Sequence, residues 1–324
     1  MLQNGVDPYF AGPGTLPGSF ADQVSWVWRY TPAPYGPLSL QLQRGIVLLC
    51  GQDPYWSAVA MRSLALVGVA LIGIFIPRIA SRLGVNAQLA AWFSVLNPFL
   101  IIDFVGGAHN DSLMMGLTVF GIWLALVGGW WWLLGAAVIG VGAAIKQPAL
   151  MAGYAAGMLG VGWHGWRLKP LLKSAGGAIG GVAIAVASFA LVSVATGLNF
   201  GWYNAVGVPG SVPSLAPSTM SGYAIGGTLD WLGYHAAAAA TVTTSQGIWL
   251  AASAIVVAIL AATIGRTRPV AFLAWAYLVV AVGGPALHSW YLLWGGLFLP
   301  MSEPSARVSR IAHWTVVGVL FYAA

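Results

Sequence analysis

The sequence predicts an all-α polytopic membrane protein, and three observations carry that prediction. Hydrophobic residues make up 59% of the 324, and only 6% are charged, where soluble domains carry roughly 25% charge. Apolar runs approach the ~20 residues that a helix needs to cross a bilayer. Most Lys and Arg sit in the short loops between those runs, so the net charge of +6 is read as topology information and not as a nucleic-acid footprint. Seventeen Trp and 43 Gly suit interfacial anchoring and close helix packing in lipid. The single cysteine, Cys50, excludes an internal disulfide and a cysteine-based metal site. No stretch has the basic head and small-residue cleavage site of a removable signal.

Taken in order, residues 1–37 hold six prolines and five glycines and predict a long irregular segment, ordered by Tyr9, Phe10, Trp26, Trp28 and Tyr35. Leu38–Cys50 is too short to span and predicts an interfacial or re-entrant helix. Residues 1–53 therefore form an external loop with an interfacial helix, and 54–324 form the bundle. Spans are predicted at about 56–76, 86–105 and 111–127. The run 130–162, at 33 residues, is too long for one crossing and is interrupted by Lys146-Gln147-Pro148. The residue before a proline is pushed out of helix, so two short helices, 131–145 and 149–163, are expected to meet there. Further spans are expected at about 175–196, 247–264, 270–287 and 290–301, with a second long external loop over 197–244. A last run from Ile311 is too short to cross. That gives about ten spans, and both ends read as cut from a longer protein.

Charge tests the count. With a hairpin at Lys146, one face carries Arg78, Arg82, Arg167, Lys169, Lys173, Arg266, Arg268, Arg307 and Arg310, nine of the 13 basic residues. The positive-inside rule makes that face cytoplasmic. The opposite face gathers Gly106-Gly107-Ala108-His109-Asn110-Asp111, the Lys146 break, His288 and six of the seven acids.

Each candidate has two readings. Asp111 either caps its helix or acts as a catalytic carboxylate. His109 is either a satisfied interfacial histidine or a ligand for phosphate or sugar, with Asn110 beside it. Arg62, roughly 9 Å inside the first span, either pairs with Asp103 or meets a phosphate. Lys146 either snorkels or lines a cavity; the second is favoured because irregular backbone inside a membrane needs a reason. Trp290 is either an interfacial belt residue or, with His288, part of a sugar site. Tyr9, Tyr35 and Asp7 supply aromatics and a carboxylate from loops, or simple turn chemistry. No phosphate loop, dinucleotide fingerprint, His-Glu-x-x-His or Gly-x-Ser-x-Gly motif is present, and no metal or other cofactor is expected.

Six motifs occur in a fixed order: Asn4-Gly5-Val6-Asp7-Pro8-Tyr9, Tyr30-Thr31-Pro32-Ala33-Pro34-Tyr35-Gly36-Pro37-Leu38, Gly106–Asp111, Ala144-Ile145-Lys146-Gln147-Pro148-Ala149, Pro209-Gly210-Ser211-Val212-Pro213 and His288–Trp294. As a set they resemble the actinobacterial polyprenol-phosphate-mannose-dependent α-1,6-mannosyltransferases that build the core of lipomannan and lipoarabinomannan. The resemblance implies a GT-C glycosyltransferase bundle in a bacterial plasma membrane, with its site on the extracytoplasmic side. It implies a polyprenyl-phosphate-mannose donor and a mannan-type glycolipid acceptor. It also implies a catalytic aspartate preceding the first motif, upstream of Met1, which leaves Asp7 and Asp111 as the acidic candidates within the chain. Lys146, Arg62 and His109 would hold the donor phosphate, and Asn110, Tyr9, Tyr35, His288 and Trp290 the sugar or acceptor. Two rivals are a transporter or lipid flippase, which wants polar groups near the midplane, and an inactive fragment or accessory subunit.

Overall fold

The computed structural model describes residues 1–323, and among them there is no strand. Eleven helices matter for the site: α1 Pro37–Leu49, α2 Pro54–Arg82, α3 Ala87–Val95, α4 Asp111–Val127, α5 Trp131–Ala143, α6 Met151–Val161, α7 Leu168–Ala195, α8 Pro217–Trp231, α9 His235–Leu260, α10 Pro269–Gly283 and α11 Ala306–Ala323. Among the described residues three helices are long and apolar enough to cross a membrane, α2, α7 and α9 with its continuation to Gly265, and α3 together with Leu100–Gly106 makes a fourth if that bent pair is one span. The expected last run, from Ile311, falls within α11, and its final residue, Ala324, lies outside the described residues.

The core is organised around α4, in which 12 of 17 residues are buried. Glycine lets its neighbours come close, as small residues do where helices pack without a hydrophobic driving force between them. A Cβ on Gly68 of α2 would overlap the backbone of Ser112, and one on Gly121 of α4 would overlap the Gly135 carbonyl of α5. Gly157 of α6 and Gly177 of α7 meet in the same way. Polar side chains tie the seams: Ser112 donates to the Ala65 carbonyl at 2.7 Å and Ser188 to the Ala137 carbonyl at 2.8 Å.

The chain does break at Lys146, and the break is stitched to the N-terminal segment. Helix α5 stops at Ala143, and a short 3-10 turn, Gln147–Leu150, leads into α6. The carbonyls of Ala144 and Ile145 accept hydrogen bonds from the Leu38 and Gly36 amides, both at 2.9 Å. A helix end leaves carbonyls that need partners, and the start of α1 supplies them. Gly36 has no room for a Cβ against Ala144. Tyr9, Leu40 and Ala205 form a second, smaller core outside the main one, fixing the long segment over the bundle end.

Four sequence expectations are corrected. The span predicted at 86–105 is two pieces, α3 and a π-helical stretch Leu100–Gly106, bent by 53°. Asn97-Pro98 lies between them, and the residue before a proline resists helix. The predicted loop over 197–244 contains α8 and the first turns of α9, because the alanine run from Ala236 to Ala240 favours helix strongly. The predicted span at 290–301 is three short turns, Ser289–Tyr291, Leu292–Gly296 and Leu299–Ser302; Gly295, Gly296 and Pro300 interrupt it. Tyr9, expected at a sugar site, is 1% exposed and spends its hydroxyl on the Tyr35 carbonyl at 2.9 Å.

Candidate active site

The corner that ends at Asp111 is built by a tight chain reversal. After the π-helical stretch, Gly107 donates to the Asp103 carbonyl, Ala108 takes a left-handed φ of 51°, and His109 donates its amide to the Phe104 carbonyl. Asp111 then opens α4, but its carboxylate does not cap that helix. Both oxygens accept from the Lys146 ammonium at 2.9 Å, and Oδ1 also accepts from Trp294 Nε1 at 2.8 Å. Asp111 is 1% exposed and Lys146 9%. Of the two readings of Asp111, the cap is therefore replaced by a buried ion pair across the break.

Aromatic rings close over that pair. Lys146 Nζ lies 4.4 Å from the centroid of Tyr291 and 5.3 Å from that of Trp294, a placement in which the ring faces attract a cation. Tyr291 and Trp294 stack at 4.3 Å. Beside them, Trp290 is held between two imidazoles, with His109 at 3.6 Å and His288 at 4.3 Å, all close to parallel. The indole Nε1 of Trp290 is buried and has no hydrogen-bond partner.

Burial holds both imidazoles below the ordinary histidine pKa. For His288 the Lys146 ammonium pushes further in the same direction, and for His109 the Asp111 carboxylate opposes burial. Both rings are thus neutral at neutral pH, able to donate from one nitrogen and accept at the other. The Tyr35 hydroxyl is pushed up, chiefly by burial. Asn110 donates to Ser39 Oγ at 3.2 Å, which joins the corner to α1.

The remaining predicted residues stand differently. Arg62 donates to the Gly106 carbonyl at 3.1 Å and makes no ion pair with Asp103, whose Oδ2 is buried without a partner. Its guanidinium therefore keeps donors free at the His109 corner. Asp7 is exposed, and its Oδ1 accepts from the Tyr9 amide at 2.9 Å, a local turn. So the structure brings Asp111, Lys146, His109, His288, Trp290, Tyr35 and Asn110 to one end of the bundle, with Arg62 at its edge. It leaves Asp7 and Tyr9 in the overlying segment. Sequence reasoning missed Tyr291 and Trp294 as partners of Lys146; the signal was their inclusion in the His288–Trp294 motif. Among the described residues, no three His, Cys, Asp or Glu side chains stand close enough to share a metal ion.

Chemically, the arrangement is a buried cation under aromatic plates, flanked by neutral imidazoles and a partly free guanidinium. Such a surface suits a polar ring stacked on the aromatics and an anion near Arg62 and His109. Asp111 has both oxygens committed, whereas Asp103, within electrostatic reach of His109, keeps Oδ2 buried without a partner.

Comparison with known proteins bears on this site. Residues 1–162 match the family described as "Alpha-(1->6)-mannopyranosyltransferase, N-terminal domain", and residues 218–324 match the "MptB C-terminal domain". The chain is 33% identical over 357 residues to a probable alpha-(1->6)-mannopyranosyltransferase of Mycolicibacterium smegmatis, covering 97% of this chain and 62% of that one. An alpha-(1->6)-mannopyranosyltransferase of Mycobacterium tuberculosis is 31% identical, covering 98% of this chain and 63% of its own length. Alpha-(1->6)-mannopyranosyltransferase B of Corynebacterium glutamicum is 30% identical, covering 95% and 54%. The chain thus spans between 54 and 63% of the length of these relatives. No solved structure matches it.

Proposed function

The chain belongs to the alpha-(1->6)-mannopyranosyltransferase family, and we propose that it forms the part of such an enzyme that binds a lipid-linked mannose donor. In this reading the protein is a multi-pass bundle of about ten spans, of GT-C type, with external loops over its outer end. Mannose passes from polyprenyl-phosphate-mannose to a mannan or lipomannan acceptor, forming an α-1,6 bond at the outer face of the plasma membrane.

The observation that carries the proposal is the convergence of His109, Lys146 and His288 on one corner, around Trp290 and Asp111. This corner lies at the opposite end of α2 from Arg78 and Arg82. Arg62 and Arg78 are 16 residues apart, roughly 24 Å along a helix. One polar end and one basic end fit a lipid-headed substrate met at the outer surface better than a pathway through the midplane.

The chemistry follows from what each group has left to give. An acceptor hydroxyl attacks the anomeric carbon, the bond from that carbon to the phosphate oxygen breaks, and the phosphate leaves with the electron pair. Arg62 and neutral His109 donate to that phosphate, where negative charge develops. Trp290 and Tyr35 present surfaces for the sugar. The Lys146–Asp111 pair, whose charges largely cancel, acts by position: it holds Tyr291 and Trp294 below them, with Asp111 keeping the ammonium in place. The acceptor proton passes to a carboxylate outside the Asp111–Lys146 pair, because both Asp111 oxygens are already occupied.

The test uses membranes from cells expressing the full-length protein, supplied with polyprenyl-phosphate-[14C]mannose and a mannan acceptor. Labelled α-1,6-linked product is expected, with Arg62→Gln reducing its formation by about 100-fold. Movement of labelled lipid or sugar across vesicles without glycosidic product would replace this reading with transport.

A further inference from the structure

A cleft of about 590 Å³ opens between α2 and α4 at the end remote from Asp111, lined by Gly73, Ile74, Arg78, Ser81, Arg82 and Trp123 among others. Arg78 and Arg82 are four residues apart and so share one face of α2. Each guanidinium commits one nitrogen to a helix carbonyl: Arg78 to Ile74, and Arg82 to Leu126 in the last turn of α4. Among the described residues neither has a carboxylate within ion-pair distance. The ion pairs among the described residues are Lys146–Asp111, His235–Asp230 and Arg268–Glu303. Two forks with donors to spare therefore face a cleft that also holds the Ser81 hydroxyl and the Trp123 indole.

The surroundings specify what kind of anion would fit. Helix α2 exposes Leu66, Val67 and Ile74 along its flank, and it is one of the segments apolar enough to span a membrane. The cleft thus sits where a hydrocarbon-facing surface gives way to polar groups. Basic pockets between spans at this depth bind the heads of acidic lipids, and paired guanidinium forks match phosphate oxygens. We propose that this cleft is a binding site for the phosphodiester head of an anionic phospholipid, with its acyl chains lying along α2. The site is separate from the mannosyl-transfer corner and stands whether or not that corner transfers mannose.

Native mass spectrometry of the full-length protein in micelles tests it, with phosphatidylglycerol, phosphatidylcholine and inorganic phosphate as separate probes. Phosphatidylglycerol should be retained and phosphatidylcholine should not. The Arg78→Gln/Arg82→Gln variant should bind phosphatidylglycerol roughly 30-fold more weakly, from about a kcal/mol per basic residue near a charged headgroup. Because Arg82 also ties α2 to α4, that variant could lose its fold. Ser81→Glu avoids the problem: the position is exposed, both arginines stay, and a carboxylate now competes for them. Folded Ser81→Glu protein that still retains phosphatidylglycerol like the parent overturns the proposal. So does displacement of the lipid by millimolar inorganic phosphate, which would make the cleft a site for soluble phosphates.

Discussion

Replacing Lys146 by Met tests the buried ion pair at the break. The ammonium sits 2.9 Å from both Asp111 oxygens, and the carboxylate is 1% exposed. At an effective dielectric of about 20, unit charges at that separation attract by roughly 6 kcal/mol before desolvation is counted. Met fills the volume but leaves Asp111 with Trp294 as its one remaining donor. Removing one member of a buried pair costs about 3–5 kcal/mol, because the other charge stays buried. Asp111→Asn is milder: the amide oxygen still accepts from Trp294, and the ammonium keeps the faces of Tyr291 and Trp294. A loss of about 2–3 kcal/mol is expected there. The double variant removes both charges and should lose less than the sum of the singles by about 2 kcal/mol or more. The assay is denaturant unfolding in mixed micelles, alongside mannosyl transfer by the full-length protein. Transfer in the double variant should remain about 100-fold down even where stability recovers, because the pair that positions Tyr291 and Trp294 beneath the site is gone. Losses that add to within about 0.5 kcal/mol would refute the coupling.

The Trp290 sandwich predicts a pH response. Both histidines have pKa values below the usual 6.5 in the folded protein, so unfolding takes up protons just below that pH. Stability is then fully present above about 6.5 and is lost as pH falls through the lowered values. Trp290 fluorescence should be quenched over the same acid range, and His288→Phe should shrink both effects; an unchanged response in that variant would contradict the stack. Asp7→Asn should leave transfer within about twofold of the parent in the donor assay, since Asn keeps the same local turn; a collapse of activity would place Asp7 in the chemistry. Gly36→Val should lower both unfolding midpoint and transfer, because a side chain there collides with Ala144 and pulls α1 off the Lys146 break. Protease nicking within residues 1–36, absent in the parent, would report that detachment, and parent-like resistance would deny it.

What could be read in the sequence depended on how local the cause was. The Lys146 break was legible because a 33-residue apolar run cannot cross once as a single helix and because Pro148 marks the interruption. The same signal at Asn97-Pro98 went unread inside a run of suitable length, and the structure bends there by 53°. The gathering of His109, Lys146 and His288 at one end followed from counting crossings. Their contacts did not, because Asp111 meets a lysine 35 residues away and a tryptophan 183 residues away. No spacing rule links such positions. Tyr9 misled for a related reason: an aromatic in a proline-rich loop reads as a surface platform until Leu40 and Ala205 are brought against it.

A structure of the full-length protein with a polyprenyl phosphate bound would test most directly where the donor's charge is received. The phosphate should lie within hydrogen-bond distance of Arg62 and His109, beside Trp290 and above the Asp111–Lys146 pair. A phosphate seated elsewhere on the bundle, with Arg62 and His109 contacting none of its oxygens, would contradict the assignment of this corner as the place of transfer.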